Sequence, residues 1–470
     1  MKKNTTVLVV GGGPCGLAAA CQLLARGIDV RVIEAAVEPT AGSRAILLWP
    51  PTLEILREIG VLEEALTLGF KAQALNYHLT GGRAIRVGLG ERNQPLMLQQ
   101  DRTNRLLEDA LERLGGKVER GMRVTGVRPG EQSVEVEVET TGGRELITGD
   151  WLIGADGVGS AVRQGLGIEF EGAPIPSTFI LAEGGMQGDY DRGELHYLFG
   201  VRGALVFAPL PGDVVRVSAP IAPDTPLTPQ TIQRLLDERG PGGLRMSGLG
   251  PVTSFTSQER IAATLRQGRC FLVGDAAHTH SPIGGQGLNL GLQDVGNLVW
   301  KLAGVIEGRL APALLDSYDV ERRHAAAEVV RLTGMLTRLA TLRPAAARVR
   351  NVVWSLLQRA GILRRWYAPL LAGWKAGYPT PYEGGRAPSW AAGPDLGSFR
   401  LVTTGDLDRA LVTEAREFSG RWAGLVSHEH VSRRGGGFLL VRPDGYVAAR
   451  GVKVADLASA GRVLERVTVR

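Results

Sequence analysis

The chain has 470 residues, with 54 Lys+Arg against 48 Asp+Glu and a net charge of +6. A hydrophobic share of 44% and a charged share of 22% exclude a disordered or fibrous protein and leave room for about three domains of ~150 residues. Its 64 glycines, double the usual share of ~7%, follow no G-X-Y period, which excludes collagen and points to turns and close backbone approaches.

The positive charge is local. From 329 to 382 there is no Asp or Glu, but there are nine cations: Arg331, Arg338, Arg343, Arg348, Arg350, Arg359, Arg364, Arg365 and Lys375. Taking these nine from +6 leaves −3 for the rest, which argues against a nucleic-acid-binding protein. The 6% aromatic content and the lack of a matching motif argue the same way. Three cysteines, Cys15, Cys21 and Cys270, form neither a metal spacing nor a CxxC pair, which predicts no metal site and fits a reducing cytoplasm. Met-Lys-Lys opens the sequence, but the apolar run behind it is too short for a signal peptide. No run approaches the ~20 residues of a membrane span.

In chain order, 5–10 (TTVLVV) reads as a buried strand, followed by glycines and an Ala/Leu-rich helix from Cys15 to Arg26. Residues 29–34 read as a second strand, and β-turn-α-β opens a parallel doubly wound sheet. An amphipathic helix is predicted at 104–114, strands at 117–127 and 133–139, and a return to the main sheet at 151–155. From 171 to 260 period-2 segments take over. Ala204–Phe207 and Val214–Val217 flank a turn at Pro211-Gly212-Asp213, as in an antiparallel hairpin. The segment 72–99 is expected to join that second sheet, which a helix at 228–239 interrupts. A strand at 269–274, a long helix at 286–306 and a basic helical region at 322–372 with a break at Pro344 follow. A Pro/Gly-rich loop then leads to a small α/β unit at 398–470. The predicted organisation is α/β. Residues 1–71, 100–170 and 265–378 form a Rossmann-like domain with trailing helices, 72–99 and 171–264 an interleaved antiparallel-sheet domain, and 379–470 a small C-terminal domain.

Three motifs carry chemistry. Gly11-Gly-Gly13-Pro14-Cys-Gly16 follows a strand and opens a helix. Gly11 permits the tight turn, Gly13 lets the backbone approach a pyrophosphate, and Gly16 allows helix–strand packing. The helix N-terminus offers N–H groups and a positive dipole end. Glu34 ends the next strand, where an acid accepts ribose hydroxyls. In the second motif, Trp151 to Arg163, a strand delivers Asp156-Gly157 to a new helix; taken alone this also reads as a helix cap. The third is Gly274-Asp275-Ala-Ala-His278-Thr-His280-Ser-Pro282-Ile-Gly284-Gly285-Gln-Gly287-Leu288-Asn289. There Asp275 can bond a polyol, and a glycine loop feeds a helix whose N-terminus can stabilise an anion.

Together the three motifs resemble the FAD-dependent aromatic hydroxylases, the class A monooxygenases related to p-hydroxybenzoate hydroxylase, over about 1–375. The resemblance implies FAD as cofactor. The first motif would bind its ADP part, Asp156-Gly157 would serve FAD and NADPH, and Asp275 would bind the ribityl chain. Pro282 and the Gly284–Asn289 loop, with Gly285, Gly287, Leu288 and Asn289, would flank the isoalloxazine. Arg44 would contact FAD near that ring, and Gln100 and Arg105 would also hold it. Val124 completes the expected cofactor set. Tyr318, Glu321 and Arg322 match a Tyr-x-x-Glu-Arg motif expected to be structural. The last unit is similar to the thioredoxin-like C-terminal domain of the phenol and polyketide hydroxylase branch, clearest at Val441–Val447. It has no cysteine and so no dithiol chemistry.

The implied reaction consumes NADPH (or NADH) and O₂ and inserts one oxygen into an aromatic or polyketide substrate through a C4a-hydroperoxyflavin. Baeyer–Villiger oxygenation and flavin-dependent halogenation share the FAD core, although no Trp-x-Trp pair of a halogenase is present. The expected catalytic residues are Arg44, Pro282, His280 and His196, with a strand histidine facing solvent or core as the competing reading of His196. Tyr197, Tyr77, His78 and Trp49 are further substrate candidates. A cytoplasmic monomer or homodimer is expected, with no nucleic-acid partner and no integral membrane contact. The basic segment has three open readings: a solvated face, a mouth for an anionic substrate, or peripheral attachment to anionic lipid. The last rests on Leu356, Leu357, Ile362, Leu363, Trp366 and Tyr367 among the arginines.

Overall fold

The computed structural model describes residues 4–39, 45–79, 83–200, 203–340, 342–379, 384–388, 390–391, 397–405 and 409–469. The β-branched Asn4–Val10 strand lies inside a sheet ordered Arg266–Gln267, Cys270–Leu272, Gly143–Gly154, Asn4–Val10, Val30–Glu34, Val118–Arg120. Asn4–Val10 runs parallel to both its neighbours. Val7, Leu8 and Val9 are wholly buried, as expected for a parallel sheet covered on both faces. The helices Pro14–Leu24, Gln100–Arg113 and Gly287–Ile306 pack over it.

Two local expectations are corrected. The region 117–127 holds two strands, Val118–Arg120 in the parallel sheet and Arg123–Pro129 paired with Val134–Thr140. The return strand is not confined to 151–155. One twelve-residue strand, Gly143–Gly154, forms a hairpin with Val134–Thr140 at one end and enters the parallel sheet at the other.

The second sheet is ordered His278–Thr279, Thr253–Ala262, Phe170–Gln187, Val214–Ile221, Gly203–Leu210, Glu194–Gly200, Ala74–Leu79, Arg83–Gly88. Most pairs are antiparallel, but Glu194–Gly200 runs parallel to Ala74–Leu79. Leu96–Met97 departs from the expectation for 72–99 and pairs with Leu47–Leu48 and Phe70–Lys71 instead. Both faces of the second sheet are buried. One carries Tyr77, Tyr197 and Phe199 with Leu47, Trp49, Leu336 and Trp354. The other carries Leu198, Leu205 and Phe207 against the Pro229–Arg239 helix.

The C-terminal unit has strand order Val426–Val431, Phe399–Thr404, Gly437–Val441, Val447–Gly451. The first two are parallel and joined through the Arg409–Arg421 helix, and the third is antiparallel. Its core is continuous with Trp300, Leu310 and Leu314 of the preceding part. A bidentate ion pair joins the two. Arg442 donates to both oxygens of Glu321 at 2.7 and 2.8 Å, and Lys301 donates to Glu321 at 2.8 Å. All three side chains are fully buried.

Candidate cofactor and substrate site

The glycines of the first motif differ in what surrounds them. A Cβ on Gly11 (φ +114°) would lie 2.3 Å from Ala155 O, and one on Gly16 would lie 2.0 Å from Gly11 O. A Cβ on Gly13 would meet nothing within 4 Å. Two glycines thus serve the protein's own packing, and the third faces open space where a phosphate can approach. No side chain caps the Pro14–Leu24 helix, which leaves its first-turn N–H groups to a ligand. Glu34 fixes the loop by accepting from Gly12 N (2.7 Å) and Ala36 N (2.8 Å). Cys15 fills the gap between Gly274 and Gly291. Burial raises its thiol pKa well above the ordinary value, so it packs rather than reacts.

The Asp156 carboxylate accepts from Ser160 Oγ (2.6 Å) and Val162 N (3.1 Å). It therefore caps the Ala161–Gly165 helix, with Gly157 left-handed beside it (φ +77°). Asp275 is exposed on a 3-10 turn, Gly274–Ala276. That turn is held by Asp294, which sequence reasoning missed. Its Oδ2 accepts from Gly274 N (3.0 Å) and His278 Nε2 (2.7 Å), and its Oδ1 accepts from Arg322 Nε (2.6 Å). Burial opposes ionisation of Asp294, but the facing His278 and Arg322 outweigh it and hold the carboxyl below its ordinary pKa. A signal was present: Asn289, Asp294, Asn297 and Lys301 are buried polar residues in a mostly apolar helix. Tyr318 donates to Leu272 O at 2.6 Å and so ties its helix to the main sheet.

The glycine loop is clamped from several sides. Asn289 accepts from Trp49 N (2.6 Å) and donates to Leu47 O and Gly285 O (both 2.8 Å). Trp49 Nε1 donates to Gly284 O at 3.1 Å. Gln286 donates to Leu371 O at 2.9 Å, which links the loop to the end of the basic helices. Ile283 packs on the aromatic face that holds Tyr77 and Tyr197, whose rings stack 5.2 Å apart. Tyr77 OH and Tyr367 OH share a 2.7 Å hydrogen bond.

Gln100 exchanges hydrogen bonds with Ala45, through Gln100 N to Ala45 O (3.0 Å) and Ala45 N to Gln100 Oε1 (3.1 Å). Arg105 is exposed on the Gln100–Arg113 helix, and the Val124 side chain lies in the core. Arg44 falls outside the described residues.

His196 lies away from the glycine loop, as the reading of a core-facing strand histidine expects. Strand side chains alternate, and with Tyr197 on the aromatic face His196 points to the opposite one, stacked on Phe207 at 4.3 Å. Its Nε2–H donates to Asp191 O (2.8 Å), so its Nδ1 accepts from His78 Nε2 (3.1 Å). Both nitrogens are occupied away from the glycine loop, and His78 goes with it. His280 differs. Its Nδ1–H donates to Ser281 O (2.8 Å), while buried Nε2 has no protein partner. That nitrogen lies 3.6 Å from where a Cβ on Gly287 would stand, at the start of the long helix.

Burial pushes the His280 pKa down to about 4, below the ~6.5 of an unfolded chain. Between these values the unfolded state binds the extra proton, so this contribution to stability is lost as pH falls from 6.5 toward 4. Glu58 acts in the opposite sense, because burial pushes its carboxyl up to about 7. The comparison of parent with His280→Gln isolates the histidine. Urea unfolding from pH 7 to 5 should show a shallower loss in the variant, and equal slopes would contradict the buried neutral imidazole.

Residues 4–333 match the model of the FAD binding domain family, and the chain belongs to that family. It is 35% identical over 360 residues to the 6-methylpretetramide 4-monooxygenase of Streptomyces rimosus, a match covering 73% of this chain and 63% of that protein. It is 32% identical to the 12-dehydrotetracycline 5-monooxygenase/anhydrotetracycline 6-monooxygenase of Streptomyces rimosus subsp. rimosus, over 94% of each. The solved structure of the anhydrotetracycline hydroxylase OxyS from Streptomyces rimosus superposes with a TM-score of 0.78 at 29% identity, covering 99% of both chains. The protein is a flavoprotein monooxygenase of the aromatic hydroxylase class. No helix among the described residues is long and apolar enough to cross a membrane.

Proposed function

We propose that the protein uses NADPH or NADH and O₂ to hydroxylate a fused-ring aromatic polyketide. The supporting observation is the apolar, tyrosine-bearing sheet face that meets the clamped glycine loop, with Tyr77, Tyr197, Trp354 and Ile283 in one cluster. Flat rings stack on such surfaces, and the tetracycline-pathway relatives act on that class of compound. The three cysteines are free, and burial pushes the thiols of Cys21 and Cys270 up to about 12, which suits a reducing cytoplasm.

Bound FAD would carry electrons from NAD(P)H to O₂, which is the source of the transferred oxygen atom, the second oxygen leaving as water. This chain's residues do the rest. The open side of Gly13 and the uncapped helix start receive the pyrophosphate. Glu34 shapes the ribose end of the loop, and exposed Asp275 offers acceptors to the ribityl hydroxyls. The start of the Gly287–Ile306 helix offers the positive end of its dipole, which would stabilise negative charge on a flavin ring bound beside it. Trp49 and Asn289 hold that helix start rigid, and Ile283 with the aromatic face excludes water.

His280 Nε2 is the acceptor beside the helix start. With a conjugate acid near 4, it is too weak a base to take the proton of a phenol of pKa ~10 outright. It orients and polarises the hydroxyl by accepting its hydrogen bond. His280→Gln, which keeps an acceptor, should hold kcat within ~10-fold, and His280→Leu should lose up to ~100-fold, since an unpaired buried hydroxyl costs about 1–3 kcal/mol. Neither profile should break near pH 6.5. Equal kcat in all three proteins would remove His280 from the reaction.

The function is tested by scoring a panel of polycyclic phenols and naphthacenes for stimulated NAD(P)H oxidation, with product mass. A gain of one oxygen atom supports the reading. Absence of bound flavin, or turnover that requires halide, refutes it.

A further inference from the structure

The basic segment presents its apolar residues the wrong way round for a solvated helix. The Pro344–Arg359 helix turns Ala347, Arg350 and Trp354 inward. Its outer face carries Val349, Val352, Val353 and Leu356, at helical spacing and 44–65% exposed. The stripe continues past Gly361 through Ile362, Trp366 and Leu370. Trp366 is 63% exposed, and Lys375 Nζ stands 3.5 Å from its ring centroid. Leu357, Leu363 and Tyr367, by contrast, pack inward on the aromatic cluster.

Cations frame the stripe. Arg348, Arg359, Arg364 and Arg365 are exposed around it. An open cleft beside it is lined by Arg92, Arg359, Arg364 and Arg365, with Glu91 the one acid among its described lining residues. No Asp or Glu occurs from 329 to 382.

We propose that this face docks the enzyme peripherally on an anionic phospholipid surface. The apolar stripe would enter the acyl boundary, and the arginine cleft would receive headgroup phosphates. The geometry is that of an amphipathic helix lying in the interface plane, with arginines at its edge and a tryptophan at headgroup level. The charge selects among occupants. A second copy packed on the same stripe by two-fold symmetry would set one nine-cation segment against another. A neutral bilayer would leave the arginines unmatched. An anionic bilayer satisfies the apolar stripe and the charge together.

The test is co-sedimentation of the FAD-loaded protein with phosphatidylcholine vesicles, with and without phosphatidylglycerol, at two salt concentrations. Two variants are compared: Leu356→Ser with Trp366→Ser, and Arg359→Gln with Arg364→Gln and Arg365→Gln. All five positions are exposed and outside the cofactor machinery, so FAD content and turnover in solution should match the parent and report folding. The parent should bind anionic vesicles and not neutral ones. The triple variant should bind roughly 100-fold more weakly, at about fivefold per cation. The apolar variant should lose at least ~10-fold. No binding to anionic vesicles at low salt overturns the proposal. So does binding that the apolar variant keeps in full, which marks charge adhesion alone. So too does a vesicle-free dimer that the apolar variant dissociates, since a second copy would then own the stripe.

Discussion

Gly13→Ala should give a protein that folds like the parent and loses FAD, whereas Gly16→Ala should fail to fold. The two substitutions add the same methyl group three residues apart. At Gly16 the methyl carbon would lie 2.0 Å from Gly11 O. A backbone atom cannot swing aside, so helix and strand must separate, at more than the ~1–3 kcal/mol typical of overpacking. At Gly13 nothing of the protein lies within 4 Å, and the penalty falls on the ligand alone. A weakening of FAD binding by ~10–100-fold corresponds to that same range of overpacking. Circular dichroism melting of the apoproteins reads the first effect, and the flavin-to-protein absorbance ratio reads the second. A Gly13→Ala protein that keeps FAD normally would show that the pyrophosphate does not pass there.

Asp294→Ala should cost about 3–5 kcal/mol. It strands the buried Arg322 guanidinium, whose bond to Asp294 is 2.6 Å. It also frees Gly274 N and His278, the two ends of the turn that carries Asp275. Asp294→Asn keeps an acceptor for Gly274 N but not the charge that answers Arg322, so it should fall between parent and alanine variant. Urea unfolding of the apoproteins ranks the three. FAD dissociation, measured where each is still folded, should quicken in the same order. If FAD is retained equally while stability falls, Asp294 supports the core without positioning Asp275.

The dinucleotide loop was legible because its chemistry dictates backbone. A tight turn, an open approach and a close helix demand glycine at 11, 13 and 16, and an acid at 34 is tied to the same unit. The hairpin at 211–213 was legible for a similar reason, since its turn places Gly212 (φ +83°) and Asp213 (φ +56°) in the left-handed region. The side of the sheet to which His196 points was open in the sequence because Glu194–Gly200 is buried on both faces. A strand with no wet side has no alternation in hydropathy, so its parity cannot be read off. Asp294 and Arg442 escaped because their partners are distant in sequence: Arg442 meets Glu321 across 121 residues, and no local pattern encodes such a pair. The apolar face of the 344–359 helix was ambiguous for a related reason. Both of its faces are apolar, and only packing decides which one is covered.

The Glu321–Arg442 pair also orders events in time. Synthesis adds ~5–20 residues per second, so Glu321 and Lys301 wait on the order of ten seconds for Arg442 and Asp444 to leave the ribosome. During that interval the FAD-binding part can assemble its parallel sheet, but it cannot close the surface around Trp300, Leu310 and Leu314, which the later strands cover. The nascent chain passes through a stage with an unsealed apolar flank and a Lys–Glu pair open to water. Chains that stop before 442 keep that flank unsealed and stay open to triage by chaperones and proteases.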